Sequence, residues 1–233
     1  MNVVFLPGTM CDERLWSRLL PELAPLVHPK FVSLSEVTDR ESAKQTLLRE
    51  IPSSSHIVAF SMGGYLALEH ALANPHQVRS LVVVAASARG LNTQEKVRRQ
   101  RMLEQLSTHP YAGISKPQLA AYLGPAGTGN PEIAATIVEM DRTLGGSVLQ
   151  AQMRATMERP DLIPSLDSID CPVLIVGSVN DRMVRVEDLQ EMHTHLRDSR
   201  LQLLDGPGHM IPLESPDELA IQIRSFYDTL PSL

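Results

Sequence analysis

The sequence predicts an α/β protein in which a doubly wound, mostly parallel sheet of about six strands carries an inserted helical lid. Short apolar runs recur along the chain, and most are apolar on both faces, as strands of a covered parallel sheet are. Segments with helical spacing of apolar residues alternate with these runs. One interval, 89–160, contains helical patterns only. The length of 233 residues and the 43% hydrophobic content suit one domain with an insertion.

Six runs rich in β-branched and other apolar residues predict the strands. They are NVVFLP (2–7), KFVSL (30–34), HIVAF (56–60), SLVVVAA (80–86), PVLIVGS (172–178) and LQLLD (201–205). Helical spacing is found between them, for example at Tyr65, Leu68 and Leu72. In an open α/β sheet the active site lies at the carboxyl ends of the strands, so the residues that follow each run are the first candidates for function.

The predicted lid lies between the fourth and fifth strands. Four segments bounded by Gly or Pro have the pattern of helices: TQEKVRRQRMLEQLSTHP, KPQLAAYLG, NPEIAATIVEMDRTLGG and SVLQAQMRATMERP. We therefore expect a lid over 89–160 and an α/β core formed by 1–88 and 161–233.

Composition excludes several classes of protein. The formal charge is −6 with acids and bases mixed along the chain, so no nucleic-acid partner is expected. Cys11 and Cys171 match neither a zinc site nor a disulfide framework, so we expect no metal and a reducing compartment. Neither glycine-rich nucleotide motif is present, and no cofactor is expected. The opening MNVVFLPGTM resembles neither a signal peptide nor a membrane span, which predicts a cytoplasmic protein with no membrane partner.

Ser61 lies directly after the third predicted strand, in AFSMGG. This is the pattern of a G-x-S-x-G elbow with Ala59 in place of the first glycine. A strand that turns sharply into a helix needs small residues two before and two after the serine, and Ala59 and Gly63 meet this need. Serine is also a favoured helix N-cap, so the motif alone leaves both roles open.

A base and an acid are predicted at the same edge of the sheet. Of eight histidines, His209 lies in a glycine-rich loop after the last strand, which favours it as the base for Ser61. Asp181 follows the fifth strand in SVNDRMV and is the candidate acid, although it is also placed to cap a helix near Val186. Asp205 is the other candidate, with a more natural role in bracing its turn.

Four motifs occur in an order that resembles the α/β-hydrolase superfamily over nearly the whole chain: FLPGTMCDERLW, AFSMGG, GSVNDRMV and GPGHMIPLESPDEL. The chain is most similar to small, lidded members that act as esterases, carbon–carbon bond hydrolases, acyltransferases or lyases. The resemblance implies that Ser61 is the nucleophile, that His209 is the general base and acid, and that Asp181 orients the imidazole.

The resemblance also implies an oxyanion hole made by the backbone N–H groups of Thr9 and Met62. The family usually has a His-Gly pair in the first motif, with a tryptophan eight residues beyond the glycine. Here the pair is Pro7-Gly8, and Trp16 keeps the spacing.

A second difference from the family is the start of the chain. The family opens with an antiparallel hairpin, whereas this sequence begins on the strand that precedes the oxyanion loop. We therefore expect about six parallel strands in the spatial order 2-1-3-4-5-6. The edges of such a sheet are open to pairing, which allows a homo-oligomer.

These observations predict a serine hydrolase that cleaves an ester, thioester or related acyl bond of a small molecule through an acyl-enzyme on Ser61. The alternative is a non-hydrolytic protein of the same fold: a lyase, an acyltransferase or a ligand-binding signalling module. The candidates for substrate contact are Trp16, Arg99 and Met153. Arg99 belongs to the run EKVRRQR, which either offers a cation to a carboxylate or forms a solvated face. Met153 lies either in an acyl pocket or in the lid core.

Overall fold

A six-stranded sheet, parallel throughout, forms the centre of the computed structural model, which describes residues 1–230. The strands are β1 (Asn2–Leu6), β2 (His28–Phe31), β3 (Ser55–Phe60), β4 (Val78–Val84), β5 (Val173–Ser178) and β6 (Ser199–Leu204). Their spatial order is β2-β1-β3-β4-β5-β6, and every neighbouring pair is parallel. The predicted sheet is confirmed. The core was predicted to end at residue 233, and residues 231–233 lie outside the described residues.

The central strands owe their position to continuous apolar runs. All six residues of β3 and of β5 are buried, which is the pattern of strands covered on both faces. The edge strand β2 is exposed along its four residues and does not match the predicted run at 30–34. Val32 and Leu34 in that run are buried because the loop after β2 packs them into the core. The alternation there reflects loop packing and not a strand.

Helices cover both faces of the sheet. They are α1 (Leu19–Leu23), α2 (Arg40–Glu50), α3 (Met62–Ala73), α4 (Thr93–Thr108), α5 (Lys116–Tyr122), α6 (Pro131–Met157), α7 (Val186–His195), α8 (Ile211–Glu214) and α9 (Pro216–Tyr227). Apolar residues of α2, α3 and α7 form one core with the sheet, and those of α1 and α9 form a second core on the opposite face. The arrangement is doubly wound. Within residues 1–230 we find no helix with both the length and the apolar character that a membrane span requires.

The insertion between β4 and β5 contains α4, α5 and α6. Asn92 and Ser115 begin the first two helices with capping boxes, and the side chain of Asn130 caps the third. Two helices were predicted where α6 is found. The structure agrees, because α6 consists of two helical parts that meet at a kink at Gly145, whose φ of 73° and ψ of 177° are not helical. The kinked α6 contacts α2 and the 3₁₀ turn Glu13–Trp16, so the insertion packs on the core.

Candidate active site

The turn between β3 and α3 holds Ser61 in a strained conformation. Its φ is 49° and its ψ is −115°, which a residue with a side chain rarely adopts. The backbone is fixed on both sides, because Ser61 N donates to Val84 O (2.9 Å) and Tyr65 N donates to Ser61 O (3.1 Å). The Ser61 hydroxyl makes no capping hydrogen bond to α3. The side chain is therefore free to interact outside its own helix.

Gly63 allows α3 to start against the carboxyl end of β1. A Cβ atom at this position would lie 2.4 Å from Pro7 O and 2.8 Å from Leu6 O. These are backbone atoms of the neighbouring strand and its loop, so a larger residue would push the helix away. This close approach places the loop that begins at Pro7 beside Ser61.

The structure brings Ser61, His209 and Asp181 together. His209 Nε2 lies 3.0 Å from Ser61 Oγ, and His209 Nδ1 lies 2.8 Å from Asp181 Oδ2. The side chains of His209 and Asp181 are 8% and 1% exposed. A carboxylate at Nδ1 favours the tautomer that carries its proton there, which leaves a lone pair on Nε2 facing the serine.

Asp181 is held by its own loop. Its Oδ1 accepts hydrogen bonds from Met183 N (2.7 Å) and Val184 N (3.2 Å), while Oδ2 faces the imidazole. The first helical position of α7 is Val186 and its cap is Arg185, so Asp181 caps the turn before the helix and not the helix itself. Both oxygens of the carboxylate are engaged, and its orientation is fixed.

Asp205, the other candidate acid, braces the loop that carries Asp181. Its Oδ1 accepts a hydrogen bond from Asn180 Nδ2 (3.0 Å). Asn180 N also donates to Ser178 Oγ (3.0 Å), and Ser178 Oγ donates to Pro207 O. The loops after β5 and β6 are thus tied to each other next to His209.

Glu214 was not singled out from the sequence, and it organises the histidine loop. Its Oε1 accepts hydrogen bonds from Gly208 N and Met210 N, both at 3.0 Å, and its Oε2 accepts one from Gly124 N at 2.7 Å. Burial raises the pKa of Glu214, and these N–H groups oppose that rise. The sequence signal was an acid that directly follows the apolar residues 211–213, where it has to be buried.

The insertion contacts the histidine loop and the loop after β1. His209 N donates to Tyr122 O (2.8 Å) at the end of α5. Gln152, buried on α6, accepts a hydrogen bond from Met10 N (2.9 Å) and donates one to Leu34 O (3.1 Å). Sequence reasoning missed Gln152, because its partners lie 142 and 118 residues away and no local pattern marks it.

Thr9 and Met62, the predicted oxyanion-hole residues, lie on the wall of the same cavity as Ser61 and His209. Along the described chain, neither backbone N–H donates to a carbonyl or to a side chain. Met62 is the first residue of α3, where an N–H has no partner within the helix. Two donors are thus available beside the serine.

The cavity above Ser61 has a volume of about 1130 Å³ and lies between the sheet edge and the insertion. Arg99 and Met153, two of the candidates for substrate contact, line it. Trp16 does not line it, and the expectation that it contacts substrate is corrected. Its side chain is fully buried with its ring 5.1 Å from that of Phe5, because the turn that contains it points inward.

Cys11 is another nucleophilic side chain on the cavity wall. Burial, followed by the charge of Asp12, raises the pKa of the Cys11 thiol to about 12. The thiol is therefore protonated at neutral pH and does not compete with a serine. Residues 1–230 include no group of three side chains arranged to hold a metal ion.

Comparison with known proteins points to one family. A family model described as "Alpha/beta hydrolase family" matches residues 3–222. A pimeloyl-[acyl-carrier protein] methyl ester esterase of Neisseria meningitidis is 29% identical over 241 aligned positions, which cover 97% of this chain and 93% of the relative. An esterase with the same name from Aromatoleum aromaticum is 23% identical, with 96% of each chain covered. A solved thermophilic esterase from Thermogutta terrifontis has a TM-score of 0.88 at 19% identity, covering 100% of this chain and 91% of that one.

The first prediction concerns Glu214. In Glu214→Gln the amide nitrogen has to face one of the backbone N–H groups that donate to the carboxylate in the wild-type protein. That buried N–H donor is then left without an acceptor. We expect the free energy of unfolding to fall by about 1–3 kcal/mol. The control is Glu36→Gln, an exposed loop carboxylate. Chemical denaturation measures the free energy of unfolding of both variants. Equal stability of the two would contradict the role of Glu214 in holding the histidine loop.

Proposed function

The chain belongs to the alpha/beta hydrolase family, and we propose that it is a serine hydrolase that cleaves an ester, thioester or related acyl bond of a small molecule through an acyl-enzyme on Ser61. The observation that carries this proposal is the continuous contact from Asp181 through His209 to the hydroxyl of Ser61. A serine hydroxyl is a weak nucleophile, and this contact supplies the base that it needs.

In the first half of the reaction Ser61 Oγ attacks the carbonyl carbon of the ester. His209 Nε2 takes the hydroxyl proton as the bond forms, and the carbonyl oxygen becomes an oxyanion. The tetrahedral intermediate collapses when the bond to the leaving alcohol breaks. Nε2 gives its proton to that alcohol, and the acyl group stays on Ser61.

In the second half, water replaces the alcohol. His209 Nε2 takes a proton from the water as its oxygen attacks the acyl carbon, and the same proton returns to Ser61 Oγ when the acid leaves. One water is consumed, and one alcohol and one acid are produced. The Asp181 carboxylate stabilises the imidazolium in both halves.

We assign the oxyanion hole to Thr9 N–H and Met62 N–H. Among residues 1–230 their donors have no other partner; they lie on the same cavity wall as the serine, and Met62 adds the positive end of α3. Donors that are fixed before the reaction stabilise the developing negative charge without reorganisation. Gln152 supports this arrangement through its bond to Met10 N.

A carboxylic methyl ester is the substrate that we favour, with methanol as the leaving alcohol. The support is the similarity to two relatives that are named methyl ester esterases, together with a cavity large enough for an acyl chain. We further propose that 89–160 act as a lid over the core formed by 1–88 and 161–233, with Arg99 and Met153 contributing to substrate contact. The cytoplasmic location and the homo-oligomer stay predictions.

The second prediction tests the nucleophile. Ser61→Ala removes the only atom that forms the acyl-enzyme, so a fluorophosphonate probe will not label the variant and methyl ester hydrolysis will fall by at least about 10³-fold. Ser87 lies on the same cavity wall, and Ser87→Ala will keep both the probe labelling and the ester hydrolysis. Mass spectrometry that finds the adduct on another serine would overturn the assignment. Labelling of Ser61 with no methanol released from any ester would favour the non-hydrolytic alternative.

The third prediction separates the two candidate acids. Asp181→Asn removes the negative charge that fixes the tautomer of His209, and we expect kcat to fall by about 10⁴-fold, the loss that the same change causes in a well-studied serine protease. Asp205→Asn leaves the contact between Asp181 and His209 in place and weakens only the hydrogen bond that braces the Asp181 loop. The kcat of this variant will therefore fall by about tenfold or less. Thermal melting checks that both variants are folded. The reverse order of the two losses would place the acid on Asp205.

A further inference from the structure

We propose that Arg99 and Arg159 form a subsite that binds an anionic group, a carboxylate or a phosphate, on the acyl part of the substrate. This inference rests on the proposed ester hydrolysis at Ser61 and names the class of ester that the site takes. Both arginines lie on the wall of the cavity that contains Ser61 and His209. The subsite is therefore within the same chamber as the reacting atoms.

The position of Arg159 relative to the serine follows from Tyr65. The Arg159 guanidinium lies over the Tyr65 ring, 4.8 Å from its centre. Tyr65 is one turn of α3 beyond Ser61, about 6 Å along the helix axis. Its hydroxyl donates to Pro160 O at 2.8 Å, which fixes the chain next to Arg159. The guanidinium is thus held over the ring of a residue that lies on the same helix as the elbow.

Arg99 is held from the opposite side by α6. Its Nη1 donates to Thr156 Oγ1 at 2.7 Å, and Thr156 Oγ1 donates to Gln152 O at 3.0 Å. This contact uses one of the five N–H donors of the guanidinium. Arg159 Nε is buried and has no hydrogen-bond partner. Each arginine therefore keeps donors that the protein does not use.

The acids on the cavity wall do not pair directly with these two arginines. Across residues 1–230, neither Arg99 nor Arg159 forms an ion pair with a carboxylate. The four acids of the wall are engaged elsewhere: Glu95 with Asn92 N, Asp141 with Tyr111 and Ile114 N, Asp161 with Ile163 N and Arg89, and Asp188 with Arg89 and Arg185.

Arg89 provides a comparison on the same wall. It pairs with Asp161, Asp188 and Glu191, as an arginine with a structural role does. Arg99 and Arg159 differ from it because, within residues 1–230, neither makes a direct ion pair; Glu95 acts on both and Asp188 on Arg159 only from beyond ion-pair distance. Two guanidinium groups without a paired carboxylate are costly to hold partly buried, and the planar group with several donors matches carboxylate and phosphate oxygens. An anion that enters the cavity supplies the missing charge.

The pKa values are consistent with this geometry. Burial, followed by the charge of Arg159, lowers the pKa of Arg99 to about 10. Burial also lowers the pKa of Arg159. Arg99 is still cationic at neutral pH, because a pKa of about 10 leaves it protonated there. A bound anion stabilises the charged form of each.

The test compares three methyl esters that share one chain and differ at its far end. Methyl hexanoate ends in a methyl group, monomethyl adipate ends in a carboxylate, and a matching ester ends in a phosphate. Methanol release gives kcat/KM for each. We expect the wild-type protein to prefer at least one anionic ester, and the two anionic arms distinguish a carboxylate from a phosphate.

Arg99→Gln and Arg159→Gln, alone and together, will lower the ratio of kcat/KM for the preferred anionic ester to that for methyl hexanoate by about tenfold or more, as expected for a lost hydrogen bond between charged groups. Arg159→Lys keeps the charge over Tyr65 and will lose less. Arg101→Gln is the control, because Arg101 is exposed on the same helix and does not line the cavity. Thermal melting checks the fold of each variant.

Calorimetry of adipate and butyl phosphate with Ser61→Ala protein measures the subsite without the reaction. Binding that weakens in Arg99→Gln and Arg159→Gln but not in Arg101→Gln supports the subsite, even if no ester is hydrolysed and the proposed function is wrong. If neither anion binds, or if the arginine variants and the control bind equally, the subsite is overturned. A wild-type enzyme that hydrolyses methyl hexanoate but shows no anionic preference would also overturn it and leave the hydrolase proposal standing.

Discussion

The strained backbone of Ser61 is the constraint on which the rest of the site depends. A φ of 49° at a residue with a side chain is unfavourable, and β3, β4 and α3 together maintain it. The strain turns the hydroxyl away from α3 and toward the carboxyl edge of the sheet. Every other group of the site is placed around that hydroxyl, at the ends of different strands. Because the strands are parallel, these ends meet at one edge.

The insertion is hydrogen-bonded to the loop after β1 and to the histidine loop, and the proposed reaction uses both loops. Gln152 holds the loop after β1 through Met10, and Glu214 joins the histidine loop to Gly124 at the base of the insertion. The same insertion contributes Arg99 to the cavity wall. The helices that enclose the cavity therefore also position the catalytic loops, so recognition and reactivity share a scaffold.

Much of the fold was predictable because parallel strands leave continuous apolar runs and because the candidate residues follow them directly. The elbow at Ser61 and the meeting of His209 with Asp181 follow from this rule, whereas the order of the sheet was expected from the resemblance to the α/β-hydrolase superfamily. The prediction of β2 was placed too late in the chain because Val32 and Leu34 are apolar and buried. A packed loop can produce the same alternation of buried and exposed residues as a strand. Trp16 kept a family spacing, but spacing does not reveal which way a side chain points. Glu214 and Gln152 act through partners distant in sequence, which no local pattern records.

The central claim is that Ser61 attacks a carbonyl whose oxygen is received by Thr9 N–H and Met62 N–H. A crystal structure of the fluorophosphonate adduct tests it most directly, because the phosphoryl oxygen stands in for the oxyanion. The account predicts that this oxygen lies about 2.7–3.1 Å from both backbone nitrogens. An adduct on Ser61 whose phosphoryl oxygen points away from either nitrogen and accepts its hydrogen bonds from other groups would contradict it.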